Sequence, residues 1–174
     1  MEGRKRLLMV EDFVLPDLIF LEHFGGDWLS FYDFVYLCFK EDFIKNPLKQ
    51  FEGKKVGLKR HPLSSDNKEA TFYHMTHEGQ EEQCREPDIR RMERIRWPKY
   101  MMVNYKSDHL KVWRNKRGSN GNILIYHEEE GYLLVLADRG DYVLPWTAYT
   151  IEHRHRRQKV LKEYEAYKKA EAAK

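Results

Sequence analysis

Four short apolar and aromatic runs follow one another in the second half of the chain. They cover 110–113, 123–126, 132–137 and 142–151, and Gly, Asn, Asp, Ser or Glu clusters separate them at 118–121, 128–131 and 138–141. Runs rich in β-branched and aromatic residues are typical of strands, and the separating residues are typical of turns. Three consecutive hairpins therefore predict an antiparallel meander, which has to bury one face.

An amphipathic helix over 28–45 is predicted as the cover of this sheet. Asp27 offers an N-cap after Gly25-Gly26, and Pro47 ends the helix. Apolar residues recur at i, i+3, i+4, i+7 and i+11, at Trp28, Phe31, Tyr32, Val35 and Phe39. A stripe of this kind is far more typical of core packing than of cofactor binding.

The remaining segments complete an α+β prediction. We expect a hairpin of strands over 54–60 and 70–75, a short Arg-rich helix near 87–96, and a strand over 101–105. A basic helix over 153–174 closes the chain, with a frayed end. The predicted fold is one domain over 1–174: a helical N-terminal cover (1–50), a mostly β core (51–152) with an antiparallel meander of four to six strands, and the basic C-terminal helix (153–174).

Composition narrows the class of protein. The chain has 174 residues, of which 41% are hydrophobic and 14% aromatic, too many for a disordered protein. Two cysteines do not suggest a disulfide framework, and the apolar run at 7–10 is too short for a signal peptide or a membrane span. We therefore expect a cytoplasmic protein without a membrane partner. Phosphate-loop, dinucleotide-binding, serine-elbow and zinc-protease motifs are not found in the sequence.

The first candidate site is a histidine pair. His74 and His77 lie three residues apart at the end of a predicted strand, and imidazole titrates near neutral pH. Such a pair suits RNA cleavage, which needs one group to take the 2′-hydroxyl proton and another to protonate the departing 5′-oxygen. The alternative is one buried hydrogen-bonding histidine and one surface histidine. Zinc binding by His61, His74, His77 and Cys84 is a weaker alternative, because their spacing matches no zinc module.

Basic residues form the second signal, although the net charge is only +3. On the predicted helix Arg90 and Arg94 share one face and are candidate phosphate ligands, while Glu93 offers a salt-bridge alternative. The candidate nucleic-acid-binding residues are Arg91, Lys111, Arg114 and Arg117. These residues lie in basic clusters at 85–96 and 106–117, which with the tail from His153 hold much of the positive charge. A solvated charged face is the alternative for these clusters.

The third signal lies in the last predicted strand. Thr147 and Tyr149 point to the same side of a strand, where two hydroxyls are suited to hydrogen-bond a phosphate. The alternative is that Thr and Tyr are present only because they favour strands.

Taken together, these residues resemble an uncharacterised bacterial and prophage family. The resemblance rests on the stretches 25–28, 56–62, 70–74, 91–97 and 146–149 and spans nearly the whole chain. More remotely, a histidine, a basic helix, a β-meander and a final Thr-Ala-Tyr are similar in order to phage-associated nucleases of the barnase, EndoU, colicin and RelE-like group. That resemblance implies His74 as general acid or base, Arg90 or Arg94 as phosphate ligand, and Thr147 with Tyr149 on the sheet.

The sequence thus predicts a toxin-type endoribonuclease that cleaves RNA through 2′-hydroxyl attack, without metal or cofactor. RNA is the expected partner, and an antitoxin or immunity protein is a further candidate. The first alternative is a non-catalytic module that binds nucleic acid or protein. The second is a purely structural or interaction protein, which gains weight if acidic residues pair all the arginines.

Overall fold

The computed structural model describes residues 12–117 and 120–174. The helices are α1 (Trp28–Lys40), α2 (Ala70–Thr76), α3 (Ile89–Glu93), α4 (Trp97–Val103) and α5 (Arg154–Ala172). The strands are β1 (Gln50–Phe51), β2 (Lys54–Val56), β3 (His77–Glu78), β4 (Glu86–Pro87), β5 (Leu110–Arg117), β6 (Asn120–His127), β7 (Tyr132–Asp138) and β8 (Tyr142–Thr150). The α+β class is therefore confirmed.

Six of the strands form one curled sheet in the order β1-β2-β8-β7-β6-β5. The run from β5 to β8 is an antiparallel meander, as the alternating sequence pattern predicts. In contrast, β2 pairs with β8 in parallel, with Lys55 opposite Tyr142. The sheet curls enough for Glu52, between β1 and β2, to form an ion pair with Arg114 of β5 at the opposite edge.

Different helices pack on the two faces of the sheet. One face, with Ile123 and Leu134 at its centre, packs into the main hydrophobic core against residues of α1, α3 and α4. The other face carries Trp113, Leu124, Tyr126 and Leu133, and α5 packs on it. Because successive strand residues point to opposite faces, the meander separates these two layers residue by residue.

Helix α1 follows the sequence prediction closely. The Asp27 carboxylate accepts a hydrogen bond from the Ser30 amide at 2.9 Å, which caps the first turn. Phe31, Val35 and Phe39 are fully buried, and a π-helical turn at Glu41–Lys45 extends the helix to its predicted end. Within the predicted N-terminal cover, residues 12–20 are without helix, and residues 1–11 lie outside the described part.

The predicted strand over 70–75 is wrong, because this segment is α2. Its β-branched and aromatic residues favour a strand locally, yet tertiary packing decides the conformation. Phe72 is fully buried between the rings of Tyr36 and Phe39, at 4.9 and 5.2 Å between ring centroids. The Thr71 hydroxyl also accepts a hydrogen bond from the Lys59 amide at 3.0 Å, which fixes the start of the helix.

Two further strand predictions need correction. The segment 101–105 belongs mostly to α4, whose first turn contains Pro98, where a missing N–H carries little cost. The predicted strand 54–60 is limited to Lys54–Val56, and residues 57–60 continue without regular structure. The predicted hairpin over 54–75 is therefore replaced by a strand, a connection and a helix.

Helix α5 is the predicted basic C-terminal helix. Val160, Leu161, Tyr164 and Tyr167 are half-buried against the sheet, whereas the rest of the helix is largely exposed. None of the helices in the described residues has both the length and the apolar character needed to cross a membrane.

Candidate functional site

A cleft of about 1130 Å³ lies between the α5 face of the sheet, the start of α3 and the first turns of α5. The floor is the sheet, where Thr147, Val135 and Leu124 lie side by side across three strands. One wall is formed by residues 87–91, and the other by α5. The cleft therefore brings together three parts of the chain that are far apart in sequence.

A β-bulge in β8 decides which side chains face this cleft. Thr147 pairs with Val135, and Pro145 pairs with Leu136, so Trp146 is the extra residue. Val143 and Ala148 both face the main core even though they are five positions apart. Without the bulge, Thr147 and Tyr149 would share the side of Val143. The bulge turns both toward the cleft, and the prediction that they lie on the same side is confirmed.

Arg91 is the residue that joins the two hydroxyl-bearing side chains to the α3 wall. Its Nη1 donates to the Thr147 hydroxyl at 3.3 Å, and its guanidinium lies over the Tyr149 ring at 5.4 Å. The same Nη1 donates to the backbone carbonyls of His74 and His77 at 3.3 and 3.1 Å. Nε pairs with the Asp88 carboxylate at 3.0 Å. Arg91 thus lines the cleft in a fixed position.

The imidazole of His74 points away from Arg91. Its Nε2 lies 2.5 Å from Oε1 of Glu82, and the ring contacts Trp146 edge to face. Burial of the ring lowers the pKa of His74, and the hydrogen bond to Glu82 opposes this effect only in part. His74 therefore meets Arg91 and Thr147 through its backbone carbonyl.

His77 is also buried and neutral. Its Nδ1 lies 2.9 Å from the Thr76 hydroxyl, and the Tyr73 ring packs against it at 4.3 Å. Burial lowers the pKa of His77 to about 4. Of the residues that the structure describes, those lining the cleft do not include His74 or His77.

Arg90 and Arg94 do not present one shared face, because α3 ends at Glu93. Arg90 is exposed and forms an ion pair with Glu152. Arg94 folds back instead, donating to the Arg90 carbonyl at 3.0 Å and to Glu93 at 3.1 Å, with its guanidinium over the Trp97 ring. Only Arg90 of the two lines the cleft.

The basic residues predicted on β5 lie apart from each other. Lys111 forms an ion pair with Glu128 at 2.9 Å on the α5 side of the sheet. Arg114 starts from the opposite face of this edge strand, and its guanidinium interacts with both Glu52 and Tyr167 of α5. The side chain of Arg117 is outside the described part of the structure.

No individual site residue is predicted in the first turns of α5, although the basic run at 153–157 is visible in the sequence. His153, Arg156 and Lys159 are exposed and line the cleft opposite Thr147 and Tyr149. The first turn has no acidic residue, and among the described residues neither Arg156 nor Lys159 forms an ion pair. Arg156 and Lys159 are thus the cations of the cleft that have no acidic partner within the described part of the chain.

A polar group that sequence patterns do not reveal lies at the far end of the floor. Glu163 of α5 accepts hydrogen bonds at Oε1 from Trp113 Nε1, at 3.0 Å, and from Asn115 Nδ2, at 2.7 Å. Asn122 donates in turn to Asn115 Oδ1 at 3.3 Å. The carboxylate and both amides line the cleft.

Comparison of the chain with protein-family models, with curated proteins and with solved structures found no match. The resemblance to a prophage family and to phage nucleases therefore stays a prediction. Within residues 12–117 and 120–174, no group of three His, Cys, Asp or Glu side chains is placed to hold a metal ion.

Proposed function

We propose that the protein is a non-catalytic module that binds single-stranded RNA in the cleft beneath α5. The observation that carries this proposal is that Arg156 and Lys159, which form no ion pair with any residue that the structure describes, face the fixed group of Arg91, Thr147 and Tyr149 across the cleft. The arginines of the α3 segment already have acidic partners, so the phosphate-binding charge of the cleft comes mainly from α5.

The position of these cations within α5 supports an anionic ligand. The N-terminus of a helix carries partial positive charge, so cations in the first turns destabilise the helix by about 0.3–1 kcal/mol each. Here His153 is followed by Arg154, His155, Arg156 and Arg157, without a capping side chain or an acidic residue in the first turn. A bound phosphate would relieve this repulsion and accept hydrogen bonds from the exposed end of the helix.

The residues on the floor of the cleft favour a nucleic acid over free phosphate as the ligand. The rings of Tyr149 and Trp146 line the cleft, with Arg91 over the first and Lys59 and Arg139 over the second. A base that stacks on an aromatic ring contributes about 1–3 kcal/mol in single-strand-binding proteins. Leu124 and Val135 form an apolar centre, and Asn115 and Asn122 supply amides at its end. Cations on the α5 wall, above a floor with aromatic and polar side chains, are a combination found in sites that hold single-stranded chains.

Fluorescence anisotropy with labelled single-stranded RNA tests this proposal. The double variant Arg156→Glu/Lys159→Glu should weaken binding by at least about tenfold at low salt and should reduce its salt dependence. The matched control is Lys168→Glu/Lys169→Glu, which changes the same charge on exposed residues of α5 outside the cleft. Absence of binding by the unmodified protein, or equal losses in both variants, would refute the proposal.

Metal-independent RNA cleavage is the second candidate function. It is favoured by His153, whose imidazole lines the same cleft as Arg91, Thr147 and Tyr149 and is suited to general acid or base chemistry. Products should carry a 2′,3′-cyclic phosphate and form in EDTA. His153→Ala and His74→Ala tested side by side distinguish the imidazole in the cleft from the buried one paired with Glu82. Intact tRNA, mRNA and ribosomal RNA over a wide pH range would exclude cleavage.

A further inference from the structure

The Glu163 carboxylate at the end of the cleft is held in a fixed orientation. Trp113, which is fully buried, and Asn115 both donate to its Oε1, at 3.0 and 2.7 Å. Asn115 is itself oriented by the hydrogen bond from Asn122. Among the described residues, Oε2 has no hydrogen-bond partner, so the group presents one unused, negatively charged acceptor to the cleft.

This acceptor lies within the reach of a base whose phosphate is held by the basic end of α5. Thr147 lies opposite Leu124 across β7, and Asn122 lies two residues further along β6, so Thr147 and Asn122 are about 12 Å apart. A nucleotide that enters between Arg156 and Thr147 can therefore extend its base along the floor toward Asn122 and Glu163. The apolar surface between the two ends is mainly Val135, which is partly exposed, with the edge of the buried Leu124 beside it.

We propose, on the basis of the proposed RNA binding, that Glu163 makes the cleft select bases that carry an exocyclic amino group and reject uracil. Adenine, cytosine and guanine each present an amino group that can donate to Oε2, as carboxylates accept from the cytosine N4 amine in protein–nucleic acid complexes. Uracil has carbonyl oxygens where adenine and cytosine carry the amine. A carbonyl oxygen facing a carboxylate gives no hydrogen bond, which is unfavourable in a partly desolvated site. Uracil's N3–H donor is flanked by two carbonyls, so a carboxylate that accepts from it is repelled by the oxygens on either side.

The substitution Glu163→Gln gives a sharp test because it nearly preserves the shape of the side chain. The donors of Trp113 and Asn115 require an acceptor at the position of Oε1, so the glutamine oxygen takes that place and its NH₂ takes the place of Oε2. The carboxylate acceptor thereby becomes a donor. The variant should no longer reject uracil, whose carbonyl can now accept a hydrogen bond.

The experiment measures affinities for homopolymers of A, C and U of about seven nucleotides, a length within the usual site size for single-strand binding. The unmodified protein should bind the A and C oligomers about tenfold more tightly than the U oligomer. In Glu163→Gln the U oligomer should bind at least as tightly as the other two. Glu165→Gln is the matched control, because Glu165 is exposed on α5 outside the cleft and should leave the preference unchanged.

The results separate the two proposals. Equal binding of all three oligomers by the unmodified protein, or a preference that Glu163→Gln leaves unchanged, would overturn base selection while RNA binding stands. Loss of preference in Glu165→Gln as well would also overturn the role of Glu163. Failure of all three oligomers to bind would refute RNA binding itself and the base selection that rests on it.

Discussion

Replacing Arg91 with alanine should destabilise the protein by about 3 kcal/mol. The guanidinium is mostly buried, at 13% side-chain exposure, and its Asp88 partner is at 19%. Removing one partner of a buried ion pair costs about 3–5 kcal/mol because the other charge is left uncompensated, and partial exposure places Arg91 at the low end. The carbonyls of His74 and His77 also lose a donor.

Urea denaturation followed by tryptophan fluorescence measures this loss. For a chain of this size, a loss of 3 kcal/mol corresponds to a fall of about 6–12 °C in Tm. Arg90→Ala is the matched control, since it removes the same side chain from the same helix at 60% exposure and should cost no more than about 0.5 kcal/mol. If Arg91→Ala and Arg90→Ala lower the free energy of unfolding equally, the contacts of Arg91 with Thr147 and Tyr149 do not hold α3 against β8.

Three further predictions follow from buried or strained groups. Because burial lowers the pKa of His77 to about 4 from its ordinary value of 6.5, the unfolded chain takes up the proton first as the pH falls. The free energy of unfolding should therefore decrease as the pH falls from 6.5 toward 4. In His77→Gln this decrease should be smaller by up to about 3 kcal/mol, measured by urea titration at each pH. Gly131→Ala should cost about 1–2 kcal/mol in thermal unfolding, since φ is +63° and the added Cβ would overlap the Arg157 guanidinium. Tyr100→Phe removes the acceptor of the Val14 amide, 3.0 Å away, and should speed amide hydrogen exchange at residue 14, whereas unchanged exchange would show that this bond does not hold the segment.

The meander was predictable because its signals are local. Each strand from β5 to β8 alternates between two buried faces, and the turn residues between them limit the register. Helix α2 was not predictable from the sequence, since Thr71, Phe72 and Tyr73 favour strands by propensity. Their helical conformation follows from contacts with α1 and Lys59, which are set only in three dimensions.

The candidate site was predictable in part for the same reason. Thr147 and Tyr149 follow from strand alternation within one segment. Arg90 pairs with Glu152, 62 positions away, and Glu163 of α5 accepts hydrogen bonds from residues of β5. Neither contact can be predicted from the spacing of residues along the sequence. The bulge at Trp146 has a local signal in Pro145, which cannot donate to the strand ladder, but the sequence does not specify which face its neighbours then take.

The parallel pairing of β2 with β8 bears on how the chain reaches its native state during synthesis. Lys55 pairs with Tyr142, 87 positions later in the sequence. During synthesis the edge of β2 therefore stays unpaired until most of the chain has left the ribosome. Closing a contact over so long a separation is entropically slow, and unpaired edges in waiting chains are prone to wrong associations. We therefore expect nascent chains that end before residue 142 to bind chaperones and to resist proteases poorly, with protection appearing once β8 has been made.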